Sequence, residues 1–447
     1  MQGMDSVYSV FGIPALPRIR ALVFQRGCGG QRPPHPRRYN TVVPPFPGAA
    51  SGPSASPEAL QAPLARRALA GFFLSGLLFS FLGAILPAWR HHLTQDFVTV
   101  GNYFLSMNVG ILAATALAAY LLPKKGISFV LIVACTIACA AFFFLALAPP
   151  AAMRWWRMGG IWGVGCGVGL LNMAVFHAVS LAYRHNPAAT VNLAGTFFGL
   201  GCVVIALLVA GTFYVYTVPS ILIFIALIPG FFIGIYARSS FPSGGQLHDR
   251  PWRQVLVEFR SPAAVLFTLL LFFQFGNEWS IAGWLALFLI QRLGVSPESS
   301  LIMLAVYWLA LLVGRILVLS VLPRLGHGKL LIASVLAALF GCTILLATNN
   351  LFGAVTGILL VGGGFAPIYP LVVEKIGGRF PYYHPGFFNG LFSFGLTGGL
   401  LAPWSLGFFT DQWGISVVMA LPLLGTLMVF LLLLLIWAET RLTRAES

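Results

Sequence analysis

The chain alternates long apolar runs with short polar breaks from about residue 68 onward. A helix rises 1.5 Å per residue, so about 20 apolar residues cross the roughly 30 Å hydrocarbon core of a bilayer. Twelve runs meet this length and are predicted to be transmembrane helices. They cover residues 68–89, 98–122, 127–148, 158–183, 188–212, 214–236, 262–291, 299–322, 328–347, 351–374, 385–409 and 414–438.

The longest polar stretch between these runs lies in the middle of the chain. Residues 237–261 separate six predicted helices, in 66–236, from six more in 262–438. The expected fold is therefore an all-α membrane protein with twelve transmembrane helices in two six-helix halves. Residues 1–65 and 439–447 are predicted to be tails.

The N-terminal tail is rich in Pro, Gly, Ser and Arg and has no apolar stretch able to form a core, so we expect disorder. An Arg-rich segment poor in acids can also be an organelle transit peptide. Proline pairs such as Pro33-Pro34 oppose the amphipathic helix of such a peptide. They favour a cytoplasmic tail or an over-extended start.

Composition excludes a water-soluble enzyme. Hydrophobic residues make up 58% of the 447 residues and charged residues 8%, with a mean hydropathy of +0.89; soluble domains are about a quarter charged. The net charge of +15 does not indicate a nucleic-acid partner, because Lys and Arg lie in the tail and in alternate short loops. This distribution predicts a cell (inner) membrane protein with both termini cytoplasmic.

Two features repeat along the chain at nearly equal spacing, which indicates a duplicated half. Pro123-Lys124-Lys125-Gly126 follows the second predicted helix, and Pro323-Arg324-Leu325-Gly326 follows the eighth, 200 residues later. Asn192 and Asn389, in the fifth and eleventh helices, are 197 residues apart. Both spacings favour two parallel six-helix repeats.

One acidic residue, Glu278, lies in the middle of a predicted membrane helix. Placing a carboxylate there costs about 2.5–3.5 kcal/mol on insertion scales, so it should face a partner or a polar cavity. Gln274 shares its helix face, and Asn277 and Trp284 share a neighbouring face. This polar and aromatic stripe is suited to binding a hydroxylated solute. The alternative is that Glu278 is a protonated or salt-bridged packing residue.

Other polar residues within the predicted helices are weaker candidates, since each could equally be a packing contact between helices. The candidates for solute binding are Asn172, Asn192, Asn389 and Tyr369. Arg315 has two alternatives: its guanidinium extends to the membrane surface, or it pairs with Glu374 in a cytoplasmic gate. Arg324 and Arg379 are expected to complete that gate.

No catalytic motif is present, so an enzyme is not expected. The six cysteines show no metal-ligand spacing, and neither a metal nor a cofactor is expected.

Three segments resemble the fucose permease and sodium-dependent glucose transporter group of the major facilitator superfamily. They are 276–285 (GNEWSIAGWL), Gly314-Arg315 with 324–329 (RLGHGK), and 362–370 (GGGFAPIYP). The resemblance implies a twelve-helix transporter over residues 68–438. Where the proton-coupled fucose permeases carry acids in helices one and four, this chain offers Gly83, Ala84 and Asn172. Glu278 is then the remaining candidate for proton or sodium coupling.

The expected function is alternating-access transport of a small polar solute, with a sugar favoured. The protein is expected to be a monomer in the lipid bilayer. An exporter of amphipathic compounds would instead prefer apolar cations. A permease-like receptor would bind solute without moving it.

Overall fold

The computed structural model describes residues 57–89, 96–147, 154–179, 187–241, 261–379 and 385–445, which form thirteen helices. The first half contains α1 (Pro57–Trp89), α2 (Phe97–Lys125), α3 (Ile127–Ala146), α4 (Arg154–Ala178), α5 (Pro187–Thr212) and α6 (Val218–Ala237). The second contains α7 (Pro262–Leu293), α8 (Pro297–Leu325), α9 (His327–Ala347), α10 (Leu351–Phe365), α11 (Ile368–Arg379), α12 (Pro385–Trp413) and α13 (Val417–Ala445).

The helices cross the membrane twelve times within the described residues. Eleven segments are long and apolar enough to do so, and α12 supplies the remaining crossing between α11 and α13. Helices α10 and α11 form one crossing, interrupted at Ala366 and Pro367 because proline lacks the N–H that an uninterrupted helix needs. Twelve crossings place the start of α1 and the end of α13 on one side, which we name the termini end. We name the other side, where α1 ends and α2 begins, the opposite end.

Two helices extend into segments predicted to be tails. Helix α1 begins at Pro57, and the residues that follow, Glu58 to Gln61, are good helix formers. Helix α13 continues to Ala445, where the Arg441 guanidinium lies 4.1 Å from the Trp437 ring centre. Residues 1–56, most of the central loop and 446–447 lie outside the described part of the chain.

The helices pack closely within each half, and three larger contacts between helix pairs, with smaller ones of α1 with α8 and of α5 with α11, join the halves. In the first half α4 packs on α2 and α3, α1 on α5, and α3 on α6; in the second, α7 packs on α12 and α13, and α9 on α10. Between the halves α5 contacts α8, α2 contacts α12, and α1 contacts α7.

The repeat predicted from the sequence has a structural counterpart. Gly126 and Gly326 end α2 and α8 with φ angles of 81° and 74°, in the region that favours glycine. Their N–H groups donate to the carbonyls of Leu122 and Leu322. The same 200-residue spacing relates Gly83 of α1 to Gly283 of α7, where these helices meet. A methyl group on Gly83 would lie 3.3 Å from the Gly283 Cα.

At the opposite end α2 and α12 approach to backbone contact. A methyl group on Gly101 would lie 2.6 Å from the Trp404 carbonyl oxygen and 3.0 Å from the Gly407 Cα. Deeper in the bundle, the Asn108 amide donates to the Leu400 carbonyl at 2.7 Å. The halves are therefore closed against each other at this end.

Gly101→Ala should lower the stability of the purified protein, because the methyl group would overlap backbone that cannot move away. The expected loss is about 1–3 kcal/mol, read as a lower apparent Tm in detergent. Gly234→Ala is the matched control, since the described structure places no atom within 4 Å of that added methyl group. Equal Tm values for both variants would contradict the close approach of α2 and α12.

Candidate functional site

Glu278 and Arg315 form an ion pair inside the second half. Glu278 lies midway along α7, and its Oε1 is 3.3 Å from Arg315 Nη2 on α8. The side chains are 6% and 15% exposed. Tyr307 of α8 donates its hydroxyl to the Glu278 backbone carbonyl at 3.1 Å. The carboxylate expected to need a partner therefore has a cationic one.

Arg315 also contacts the other half. Its Nη1 donates to the carbonyl of Gly195, on α5, at 3.2 Å. The guanidinium can approach α5 this closely because residue 195 is glycine. A methyl group at that position would lie 2.7 Å from Nη1. One guanidinium thus joins a carboxylate in its own half to a backbone carbonyl in the other.

The expected pairing of Arg315 with Glu374 is wrong. Side chains on a helix lean towards its N-terminus, and α8 begins at the opposite end, so Arg315 reaches towards the middle of the membrane. Glu374 pairs with His327 at 2.7 Å, and Arg379 pairs with Glu439 at 2.7 Å. These contacts join α11 to α9 and α13 within the second half. Arg324 is exposed near them.

The four α7 residues predicted to form one stripe face different neighbours. Gln274 is fully buried one turn from Glu278 and close to its carboxylate, without a hydrogen bond of ordinary geometry in the described structure. Asn277 donates to Thr426 Oγ1 of α13 at 3.3 Å. Trp284 donates to the Pro403 carbonyl of α12 at 2.9 Å. Asn277 and Trp284 thus pack against helices of their own half.

The remaining predicted residues lie apart. Asn172 of α4 accepts a hydrogen bond from the Ser75 hydroxyl of α1. Tyr369 of α11 is half-buried, and its ring centre is 5.3 Å from that of Phe275. Asn192 and Asn389 lie on α5 and α12, but their side chains fall outside the described part of the structure.

A small cavity lies between the two halves, and Trp279, which follows Glu278 in the chain, contributes to its wall. The space open to the centres of water molecules is about 30 Å³, which is enough for about two waters. Helices α1 and α2 contribute one wall, and α7, α8 and α12 the other. The lining residues are Phe79, Ser80, Gly83, Phe104, Met107, Asn108, Trp279, Ala282, Gly283, Trp308, Gly399 and Pro403.

The cavity wall is aromatic and uncharged but holds unused polar groups. The ring centres of Phe79 and Trp279 are 4.4 Å apart across the two halves. The Trp308 indole nitrogen is buried without a hydrogen-bond acceptor in the described structure. The Ser80 hydroxyl, near Cys202, also makes no hydrogen bond of ordinary geometry there. Buried polar atoms of this kind usually have a partner.

Sequence reasoning ranked this surface too low. The predicted solute contacts centred on the α7 stripe and did not include Asn108 or Trp308. The 200-residue repeat contained a usable signal, because it pairs Phe79 with Trp279 and Asn108 with Trp308. All four residues line the cavity.

Comparisons with known proteins relate this twelve-crossing bundle of two related halves to membrane transporters. A sequence model described as the Major Facilitator Superfamily matches residues 193–403. An uncharacterised MFS-type transporter of Yersinia pestis is 23% identical over 348 residues, which cover 77% of this chain and 88% of that protein. The chain is similar to the major facilitator superfamily over these regions.

Solved structures share the fold at low sequence identity. A D-xylose-proton symporter matches with a TM-score of 0.67 and 14% identity, over 82% of this chain and 96% of its own. The nucleoside transporter NupG matches with a TM-score of 0.61 and 15% identity, over 84% of this chain and 98% of its own. The E. coli fucose:proton symporter FucP matches with a TM-score of 0.58 and 16% identity, over 84% of this chain and 98% of its own.

Breaking the Glu278–Arg315 pair should destabilise the protein. Glu278→Gln or Arg315→Met leaves one buried charge without its partner, at an expected cost of about 3–5 kcal/mol. The double variant should lose less than the two single losses combined, because it removes both charges. Apparent Tm values of the four proteins in detergent measure this coupling.

Glu374→Gln is the control for this double-mutant cycle. In its pair with His327, the Glu374 side chain is 47% exposed and the His327 side chain is 43% exposed. Such exposed pairs contribute about 0–1 kcal/mol. If Glu278→Gln lowered Tm no more than Glu374→Gln, the buried pair would carry little of the stability.

Proposed function

We propose that the protein is a secondary transporter that moves a small uncharged polar solute, with a sugar as the favoured class, by alternating access. The observation that carries this proposal is the aromatic, uncharged cavity between the halves, with the unpaired Trp308 N–H and Ser80 hydroxyl in its wall. Solute hydroxyls would accept from Trp308 and exchange hydrogen bonds with Ser80 and Asn108. Aromatic rings would cover an apolar face of the solute ring.

The small volume of the cavity supports the same mechanism. A space for about two waters is too small for a sugar ring. The solute must therefore enter and leave in conformations in which the halves have separated at one end. The structural neighbours named for xylose, fucose and nucleosides act on hydroxylated ring compounds, which agrees with this class of solute.

Glu278 is the proposed coupling residue, with a proton as the favoured ion and sodium as the alternative. The carboxylate lies one residue before Trp279 of the cavity wall, and its charge is balanced by Arg315. Gln274, Asn277, Trp284, Asn172, Asn192, Asn389 and Tyr369 remain proposed solute contacts for more open conformations. Glu374, Arg379 and Arg324 remain proposed gate residues at the termini end, which we place in the cytoplasm.

An exporter of amphipathic cations is the second candidate. Phe79, Phe104, Trp279 and Trp308 line the cavity, and aromatic faces also attract cations. A ligand screen separates the two functions, since a hydroxylated neutral solute and an apolar cation use the same wall differently.

Trp308→Phe should weaken solute binding by about five- to tenfold, because it keeps the aromatic ring but removes the buried N–H donor. The measurement is a thermal-shift titration of the purified full chain with neutral sugars, sugar acids, nucleosides and amphipathic cations, followed by flux in proteoliposomes. Trp162→Phe is the matched control, since Trp162 is 46% exposed on α4, away from the cavity.

Each outcome has a distinct meaning. Stabilisation by a sugar, weakened in Trp308→Phe and accompanied by flux, supports the proposal. Stabilisation by amphipathic cations alone favours the exporter. Binding without flux in either direction favours a receptor.

A further inference from the structure

The two ends of the bundle hold the halves together by different kinds of contact. At the opposite end, helix backbones touch at Gly101 and Gly407. At the α5–α8 contact, nearer the termini end, the described contacts involve side chains. A Cβ atom on Gly199 would lie 3.6 Å from the Leu312 Cβ, and Arg315 reaches the Gly195 carbonyl. Separating α5 from α8 would therefore release side-chain contacts, that of Arg315 among them.

Arg315 is the charged side chain that spans this contact. Its two terminal nitrogens have different partners, Glu278 in the same half and the Gly195 carbonyl in the other. A planar guanidinium can serve both at once because its N–H groups point in fixed, divergent directions. Glu278 therefore determines where the guanidinium lies, and the Gly195 carbonyl receives the nitrogen that remains.

We propose that Arg315 is a latch that holds the halves closed between α5 and α8, and that Glu278 is the positioning residue that orients it. The proposal rests on the proposed alternating-access function. Separating α5 from α8 breaks the hydrogen bond from Arg315 to Gly195. The ion pair with Glu278 lies wholly within the second half and moves with it.

A disulfide across the contact reports closure without any solute or flux. The distance of 3.6 Å between the positions of the two Cβ atoms lies within the range of about 3.5–4.5 Å found in disulfides. The test uses full-length protein in proteoliposomes, with the six native cysteines replaced by alanine and Gly199→Cys and Leu312→Cys introduced. The rate of cross-linking under a mild oxidant measures the closed population.

Two variants weaken the latch while keeping the charge beside Glu278. Arg315→Lys replaces the fork by a single ammonium group that cannot serve both partners. Gly195→Ala pushes the guanidinium away from the carbonyl, because the methyl group would lie 2.7 Å from Nη1. Both should lower the ratio of closed to open protein by about tenfold, the equilibrium effect of losing one charge-assisted hydrogen bond, and slow cross-linking by up to that factor. Arg292→Lys, an exposed position near the end of α7, is the control.

Glu278→Gln tests the positioning role. It removes the anion that orients Arg315 and should also slow cross-linking. Unchanged cross-linking in Arg315→Lys and Gly195→Ala would overturn the latch. Slower cross-linking in those two variants but not in Glu278→Gln would overturn the role of Glu278. A protein that cross-links as expected but moves no solute would contradict the proposed transport and leave the latch supported.

Discussion

The architecture depends on one buried ion pair in an apolar bundle. A carboxylate at the middle of a membrane helix is costly, and a counter-charge within hydrogen-bond reach reduces that cost. Glu278 and Arg315 can form their ion pair only while α7 and α8 keep the relative height and rotation that bring the two side chains together. The Tyr307 hydroxyl on the Glu278 carbonyl supports the same register. The pair is thus a constraint on helix packing as well as a local contact.

The surrounding contacts give the bundle an asymmetry between its ends. Glycines let helices of the two halves approach to backbone contact at Gly83 and at Gly101. Small residues commonly serve this purpose where membrane helices pack closely. Between α5 and α8 the contacts are made by longer side chains, with Arg315 among them. Side-chain contacts can be exchanged with little change of backbone, which suits a contact that opens.

The cavity has no charged side chain among its lining residues. The wall presents indole and benzyl rings, a hydroxyl and an amide, while Glu278 and Arg315, which do not line the cavity, balance each other's charge. This surface fits a neutral solute with hydroxyl groups and an apolar face. The proposed coupling role of Glu278 and the proposed latch depend on one pair of residues, whereas proposed solute binding depends on the cavity wall.

The sequence by itself determined the helices, the twelve crossings and the duplication, because apolar length and the Pro/Gly endings at Gly126 and Gly326 are local properties. It also identified Glu278 as a residue that needs a partner. Only the tertiary structure decided that the partner is Arg315, that Asn277 and Trp284 pack against their own half, and that Phe79 and Trp308 line the cavity. The physical reason is that the rotation and height of each helix depend on contacts between residues far apart in the chain, and hydropathy along the chain contains no information on those contacts.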